Sequence, residues 1–142
     1  MFYGQAQHSI DDKNRVILPS KYRENLGVSF FALCGGENCL YIYDEVGFRE
    51  FEAKINALPD SDDGALLKRI IFENTERLST DKQGRFVIPT ALKDYAGLEK
   101  DVLFLGVSKR IEVWEAKVYE NYKKQVPDTQ KTLAELYKKF NI

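Results

Sequence analysis

Short apolar runs bounded by turn-forming residues dominate the first part of this chain. A polar turn ending at Asn14 leads into the apolar run Arg15–Leu18, and Pro19 ends that run because proline cannot donate to a β-ladder. The pattern predicts a strand here. A short helix is then predicted, with Ser20 as its N-cap and Gly27 at its end.

The same arrangement returns in the second half of the chain. Residues 11–20 are DDKNRVILPS, and residues 81–90 are DKQGRFVIPT. The offset of 70 holds as far as Gly27 and Gly97, and one inserted residue makes it 71 between residues 40–44 and 111–115. Each copy therefore predicts strand, turn, strand, short helix, strand, strand. In the second copy the equivalent features are the turn at Gly84, the strand at residues 85–88, the stop at Pro89 and the N-cap at Thr90. Two later strands are predicted in each copy, at 29–33 and 40–43 in the first and at 102–105 and 111–114 in the second.

One copy is too small to bury its own sheet, so the two copies are expected to pack together with pseudo-two-fold symmetry. This predicts an α+β, β-rich fold with intervening and C-terminal helices. The predicted divisions are a first module at 5–47, a helical linker at 48–75, a second module at 76–119 and a C-terminal helical segment at 120–142.

Helical periodicity occupies the rest of the chain. Apolar positions recur at helical spacing, which is most simply explained by packing against the core. The last helix is also suited to docking on a neighbouring subunit, as terminal amphipathic helices often do. The predicted helices are residues 48–58, ended by Pro59; residues 64–77; residues 118–126; and a final stripe of Leu133, Leu136, Tyr137 and Phe140.

Composition changes this picture in one respect. A hydrophobic content of 44% and an aromatic content of 13% are enough for a folded core, whereas 21 basic and 22 acidic residues give a net charge of −1. Any nucleic-acid surface must therefore be a local basic patch.

Neither a secretory signal nor a membrane span is predicted, so a reducing cytoplasm is expected for the two thiols. Cys34, Cys39 and His8 are too few for a metal site, and no cofactor is expected.

The two turns carry the strongest chemical signal. Asp11 precedes Arg15, and Asp81 precedes Arg85, at the same spacing around a tight turn. The simplest explanation is structural, since an aspartate accepts backbone N–H groups in turns and an arginine can pair with it. The other explanation is DNA contact, with the acid orienting the arginine.

Local charge favours DNA contact. Both residues 11–23 and residues 81–93 carry a net charge of +2 within a net-acidic chain. Arginine can bind guanine O6 and N7 together, lysine neutralises phosphate, and a hairpin loop can enter a major groove about 12 Å wide. The predicted DNA-binding residues are Arg15, Arg85, Lys13, Asn14, Lys82, Gly84, Lys21 and Arg23, with Asp11 and Asp81 orienting the turns.

At these residues the sequence resembles the MraZ family, bacterial transcriptional regulators built from two SpoVT/AbrB-type swapped-hairpin modules. The resemblance covers nearly the whole chain. It rests on Met1-Phe2-x-Gly4, the paired Asp-x-x-x-Arg turns with their prolines, Asp44 and Phe48, and Ile111-x-Val113-Trp114.

The resemblance implies a closed ring, an octamer or a dodecamer, that binds short direct repeats in double-stranded DNA upstream of its own division and cell-wall gene cluster and associates with the nucleoid. It assigns DNA contact to Arg15 and Arg85. The basic position before the arginine corresponds to Lys13, but the second copy has Gln83 there, and Asn14 stands where the family usually has glycine. The two modules are therefore expected to contribute unequally.

Two other classes of function compete with DNA binding. An enzyme is disfavoured because no nucleophile–base pair, phosphate-binding glycine loop or zinc-protease motif is present. The two glycines after Cys34 are better explained by a bend between strands than by a reactive thiol. An oligomeric interaction protein or antitoxin-like module remains the alternative, with the final helix as its partner-binding segment.

Overall fold

The computed structural model describes residues 1–142, which form eight strands and six helices. The strands are β1 (Gln5–Ser9), β2 (Arg15–Ile17), β3 (Ser29–Cys34), β4 (Leu40–Tyr43), β5 (Glu76–Ser79), β6 (Arg85–Val87), β7 (Asp101–Val107) and β8 (Arg110–Glu115). The helices are α1 (Ser20–Leu26), α2 (Glu45–Asn56), α3 (Asp62–Glu73), α4 (Thr90–Tyr95), α5 (Ala116–Lys124) and α6 (Thr129–Phe140). This confirms the α+β class and the repeated order of elements. None of the helices has the length and apolar character that a bilayer crossing requires.

The two repeats exchange strands. Six strands form one antiparallel sheet in the order β1-β7-β8-β4-β3-β5, so that β1 pairs with the second repeat and β5 with the first. The remaining strands, β2 and β6, pair only with each other and form a separate two-stranded ribbon. Each repeat therefore completes the sheet of the other.

The ribbon packs on one face of the large sheet through its inward side chains. Val16 and Phe86 face each other in the ribbon and are 1% and 4% exposed. The ring of Phe86 meets Phe30 of β3 edge to face at 5.3 Å between centroids and Phe104 of β7 at 6.4 Å. This core therefore joins side chains of both repeats.

Equivalent aromatic pairs fix one helix of each repeat on the opposite face of the sheet. The ring of Tyr43 stacks on Phe51 of α2 at 5.2 Å, and Trp114 stacks on Tyr122 of α5 at 5.6 Å. Trp114 corresponds to Tyr43, and Tyr122 corresponds to Phe51, at the offset of 71 that also relates residues 40–44 to residues 111–115. The sequence repeat thus extends into these helices.

The helices that follow in the two repeats, α3 and α6, differ in how much of their surface is buried. In α3 one residue, Ile71, is buried, whereas α6 has none. Two sets of apolar side chains are left on the surface. They are the α3 stripe (Leu66, Leu67 and Ile70, 41–53% exposed) and the α6 stripe (Leu133, Leu136, Tyr137 and Phe140, 43–64% exposed). The prediction of core packing is therefore right for Ile71 and wrong for Leu67, Ile70 and the α6 stripe.

Several predicted helix boundaries are also wrong. Pro19 and Pro89 occupy the N-cap positions of α1 and α4, and neither helix has a side-chain cap, because Ser20 and Thr90 are already helical. The helix predicted to reach Arg77 ends at Glu73, since the following residues form β5 and pair with β3. The predicted strand ends differ from the observed ones by one or two residues.

Candidate nucleic-acid interface

Each Asp-x-x-x-Arg turn is built around its aspartate. Oδ1 of Asp11 accepts the backbone N–H groups of Lys13 at 2.9 Å and Arg15 at 2.8 Å, while Oδ2 accepts Nε of Arg15 at 2.7 Å. Asn14 completes the turn with a φ of 60°, a conformation that asparagine tolerates better than most residues. The carboxylate therefore holds both the backbone and the arginine side chain.

The second turn repeats this geometry. Asp81 accepts the N–H groups of Gln83 and Arg85 at 2.9 Å each, and its Oδ2 accepts Nε of Arg85 at 2.9 Å. Gly84 takes the equivalent left-handed position with a φ of 76°. The predicted orienting role of both aspartates agrees with these contacts, which also satisfy the purely structural explanation.

The aspartates leave the outer part of each guanidinium available. Only Nε of Arg15 and of Arg85 is hydrogen-bonded, and the terminal Nη groups have no partner in the protein. Both side chains are about one-third exposed. The two Nη groups of a guanidinium can donate side by side, which is the arrangement that binds the major-groove edge of guanine.

Hydrogen bonding also sets the charge of the turn. The backbone N–H of Arg15 has the largest effect and lowers the pKa of Asp11, and the guanidinium of Arg15 lowers it further, against the opposing effect of desolvation. Arg85 acts in the same way on the pKa of Asp81. Both carboxylates are therefore ionised near neutral pH and keep their hold on the arginines.

The ribbon brings the two arginines onto one surface. In its antiparallel register Arg15 lies opposite Val87, and Ile17 lies opposite Arg85. These four side chains alternate with the buried Val16–Phe86 pair, so they share the outward face. Diagonal neighbours in such a ladder are about 7–8 Å apart, so both arginine side chains leave the backbone from one small surface.

The lysines of the turns differ between the repeats. Lys13 and Lys82 are both exposed, and neither ammonium group is hydrogen-bonded within the protein. They are not equivalent, because Lys13 corresponds to Gln83, and Lys82 corresponds to Asp12. One turn tip is thus net neutral and the other is net positive.

The cations of the short helices are engaged within the protein. Lys21 donates to the carbonyl of Gln5 at 2.8 Å, and Arg23 donates through Nε to the carbonyl of Leu18 at 2.9 Å. Lys93 contributes to the predicted local charge but is not among the predicted site residues, and it donates to Oδ1 of Asn14 at 2.8 Å. Lys93 is the counterpart of Arg23 in the second repeat, and this correspondence is the signal that could have singled it out.

The cysteines offer no comparable chemistry. Cys34 and Cys39 are buried, and burial raises the pKa of both thiols, that of Cys39 to about 12. A thiol is a poor nucleophile until it ionises, so these surroundings oppose reaction. No three His, Cys, Asp or Glu side chains lie close enough together to hold a metal ion.

Fold and site together define a class: a tandem-repeat protein in which both repeats contribute a charged turn to one exposed ribbon. The chain belongs to the MraZ family. The family model described as "MraZ protein, putative antitoxin-like" matches it twice, over residues 1–68 and 71–137. The family resemblance noted in the sequence is thereby confirmed.

Curated relatives agree with this assignment over most or all of their length. A protein of Acetivibrio thermocellus is 48% identical over 86% of both chains. Those of Caldanaerobacter subterraneus and Moorella thermoacetica are 40% and 39% identical over the full length of both chains. Each of these relatives is named transcriptional regulator MraZ.

The first prediction concerns the two aspartates. Their pKa values are lower in the folded protein than in the unfolded chain, so their contribution to stability is present above the unfolded pKa of about 4 and is lost as the pH falls through the folded value. The difference in unfolding free energy between wild type and Asp11→Asn/Asp81→Asn should be constant from about pH 5 to pH 8 and shrink below about pH 4.

Urea unfolding at each pH measures this difference. Asp12→Asn is the control, because the Asp12 carboxylate accepts no hydrogen bond and its loss should change stability by less than about 0.5 kcal/mol. A difference between wild type and the double variant that does not shrink in acid would show that the charge of these carboxylates does not stabilise the turns.

Proposed function

We propose that this protein is a sequence-specific DNA-binding transcriptional regulator that contacts base edges through Arg15 and Arg85. The observation that carries the proposal is the outward face of the ribbon, where two arginines are held at Nε by aspartates and have unpartnered Nη groups. The names of the relatives support the same class of function.

The apolar neighbours of the arginines suit the same surface. Ile17 and Val87 are 40% and 54% exposed on the outward face of the ribbon. Small apolar side chains contact the methyl group of thymine in the major groove, while arginine binds guanine there. The ribbon therefore offers both kinds of base contact, and Lys13 and Lys82 at the turn tips are placed to neutralise phosphates.

The proposed target is a set of short direct repeats upstream of the protein's own division and cell-wall gene cluster. One ribbon supplies few phosphate contacts, so a single copy should bind weakly and be sensitive to salt. Several ribbons in one oligomer make the later contacts intramolecular and raise the affinity. We accordingly place the protein in the cytoplasm, associated with the nucleoid.

We assign the modules to residues 5–47 and 76–119, with helical segments at 48–75 and 120–142. In this proposal the modules are of the swapped-hairpin type. The exchange of β1 and β5 between the repeats, and the pairing of β2 with β6, support that assignment.

Replacement of both arginines tests the DNA-binding proposal. Arg15→Ala/Arg85→Ala should lower the affinity for DNA from upstream of the gene to that for a scrambled duplex, since each arginine–guanine pair contributes about 1–3 kcal/mol of discrimination. Fluorescence anisotropy across a salt series measures both affinities. Arg49→Ala is the control, because Arg49 lies on α2, which packs on the other face of the sheet from the ribbon. Preference for the natural sequence that survives the double replacement would refute the site.

We further propose that copies of the chain assemble head to tail into a ring, with the α6 stripe of one copy on the α3 stripe of the next. Both stripes are apolar and exposed. Residues 45–73 contain seven acidic and four basic residues, whereas residues 116–140 contain six basic and three acidic ones. The helical segments thus have net charges of −3 and +3, which favours their contact. An interface between two different surfaces propagates and closes into a ring when its rotation allows.

Two variants with complementary defects test the head-to-tail interface. Leu136→Glu on α6 and Ile70→Glu on α3 should each lower the mass measured by light scattering, because each places a charge in the apolar contact. An equimolar mixture should recover dimers, since each variant retains the surface that the other lacks. Ala134→Glu is the control, as it adds the same charge on another face of α6. A contact between two copies of α6 would instead leave Ile70→Glu fully assembled and the mixture unrescued.

The alternative function is an antitoxin-like or other interaction module whose main partner is a protein. The exposed α6 stripe and the wording of the family description favour it. It predicts that the arginine replacements leave the principal binding activity intact and that the Leu136→Glu replacement removes it. The anisotropy experiment above separates the two functions, because an interaction module would show no preference for the natural DNA sequence.

A further inference from the structure

The guanidinium of Arg23 lies directly against the turn of the other repeat. A Cβ atom added to Gly84 would come within 2.5 Å of Cζ and within 2.7 and 2.9 Å of the two Nη atoms of Arg23. Gly84 is buried in this position. Its carbonyl accepts the N–H of Leu18 at 2.9 Å, and the carbonyl of Leu18 accepts Nε of Arg23 at 2.9 Å. Arg23 of the first repeat thus closes over the second turn.

Lys93 makes the reciprocal contact. Its ammonium group donates to Oδ1 of Asn14 at 2.8 Å, and the carbonyl of Asn14 accepts the N–H of Ile88 at 2.8 Å. Lys93 and Gly84 are the counterparts, in the second repeat, of Arg23 and Asn14. A cation from each short helix therefore contacts the left-handed residue in the turn of the opposite repeat.

The two contacts differ in a complementary way. At the second turn the left-handed residue has no side chain, and the large planar guanidinium of Arg23 fills the space. At the first turn Asn14 brings an amide oxygen into the equivalent space, and the smaller ammonium group of Lys93 meets it. Arginine is thus matched with glycine and lysine with asparagine. This matching accounts for the asparagine at the first turn.

We propose that Arg23 and Lys93 are positioning residues: each fixes the turn of the opposite repeat, and thereby the arginine that this turn presents to DNA. The proposal rests on the proposed function for its consequence in binding. These two cations differ in role from Lys13 and Lys82, whose ammonium groups have no partner in the protein and are available to DNA. It also means that neither repeat can present its own arginine correctly without the other.

The decisive experiment replaces the arginine–glycine pair of the second turn by the lysine–asparagine pair of the first turn. Gly84→Asn should displace the guanidinium of Arg23 and reduce specific DNA affinity roughly tenfold or more. Arg23→Lys/Gly84→Asn recreates at the second turn the pair found at the first, and should restore affinity to within about threefold of wild type. Asparagine is compatible with the left-handed conformation here, as Asn14 shows. A double variant no better than Gly84→Asn alone would overturn the proposal.

The salt dependence distinguishes positioning from phosphate contact. Arg23→Ala should weaken specific binding while leaving the slope of log affinity against log salt unchanged. Loss of a phosphate contact would lower that slope by about 0.9 for each phosphate. A lowered slope for Arg23→Ala would assign Arg23 to the DNA backbone and overturn its role as a positioning residue.

Hydrogen exchange in the free protein tests the contact without DNA. Gly84→Asn should accelerate exchange of the Leu18 amide, which donates to the carbonyl of Gly84, and the double variant should restore its protection. The amide of Phe104 in the large sheet is the control for global destabilisation. Unchanged protection of Leu18 in Gly84→Asn would overturn the proposal. If wild type shows no specific DNA binding, the proposed function fails, and this exchange measurement still decides whether the cross-repeat contacts exist.

Discussion

Two strands of three residues each, one from either repeat, have no partner in the six-stranded sheet and pair only with each other. The ladder is extended at both ends, where Leu18 donates to Gly84 and Ile88 donates to Asn14. Unpaired backbone groups are costly when buried, so neither strand could keep its conformation alone. Phe86 ties the ribbon to both halves of the sheet. The two repeats must therefore fold as one unit, and the turns they carry lie at opposite ends of the ribbon that they share.

Because β2 and β6 form a ribbon only together, the arginines of both turns share one surface, and a net-acidic chain can therefore carry a cationic surface. Each turn aspartate is engaged by its own arginine and by backbone N–H groups, which leaves the outer guanidinium nitrogens available. Much of the remaining acidity lies in residues 45–73, which pack on the other face of the sheet. The charge of −1 for the whole chain thus conceals segments of opposite charge, with −3 over residues 45–73 and +3 over residues 116–140.

The sequence predicts local structure well because the determining residues are adjacent. A left-handed residue before an apolar run, followed by proline, is enough to place each turn and the strand after it, and Asn14 and Gly84 take the expected conformation. The repeat at an offset of 70 then predicts the second copy from the first. The orienting contact of Asp11 with Arg15 also follows from spacing alone.

Long-range partners are less accessible to this reasoning. Nothing near β1 shows that it pairs with β7, because pairing depends on the whole fold. Helical periodicity likewise finds an apolar face without showing what covers it, and the α6 stripe is exposed. Helix α3 stops at Glu73 because pairing of the next residues with β3 overrides their helical propensity. The contact of Lys93 with Asn14 joins residues far apart in the sequence and emerges only in three dimensions.

The proposed mode of binding requires both repeats to present their arginines to DNA on one shared ribbon. A crystal structure of the protein with a duplex from upstream of its own gene would show the contacts of this ribbon. We expect Nη groups of both Arg15 and Arg85 to lie within hydrogen-bond distance of base edges in one major groove, with each Nε still bound to its aspartate. A complex in which the ribbon faces solvent and the duplex follows α5 and α6 would contradict it.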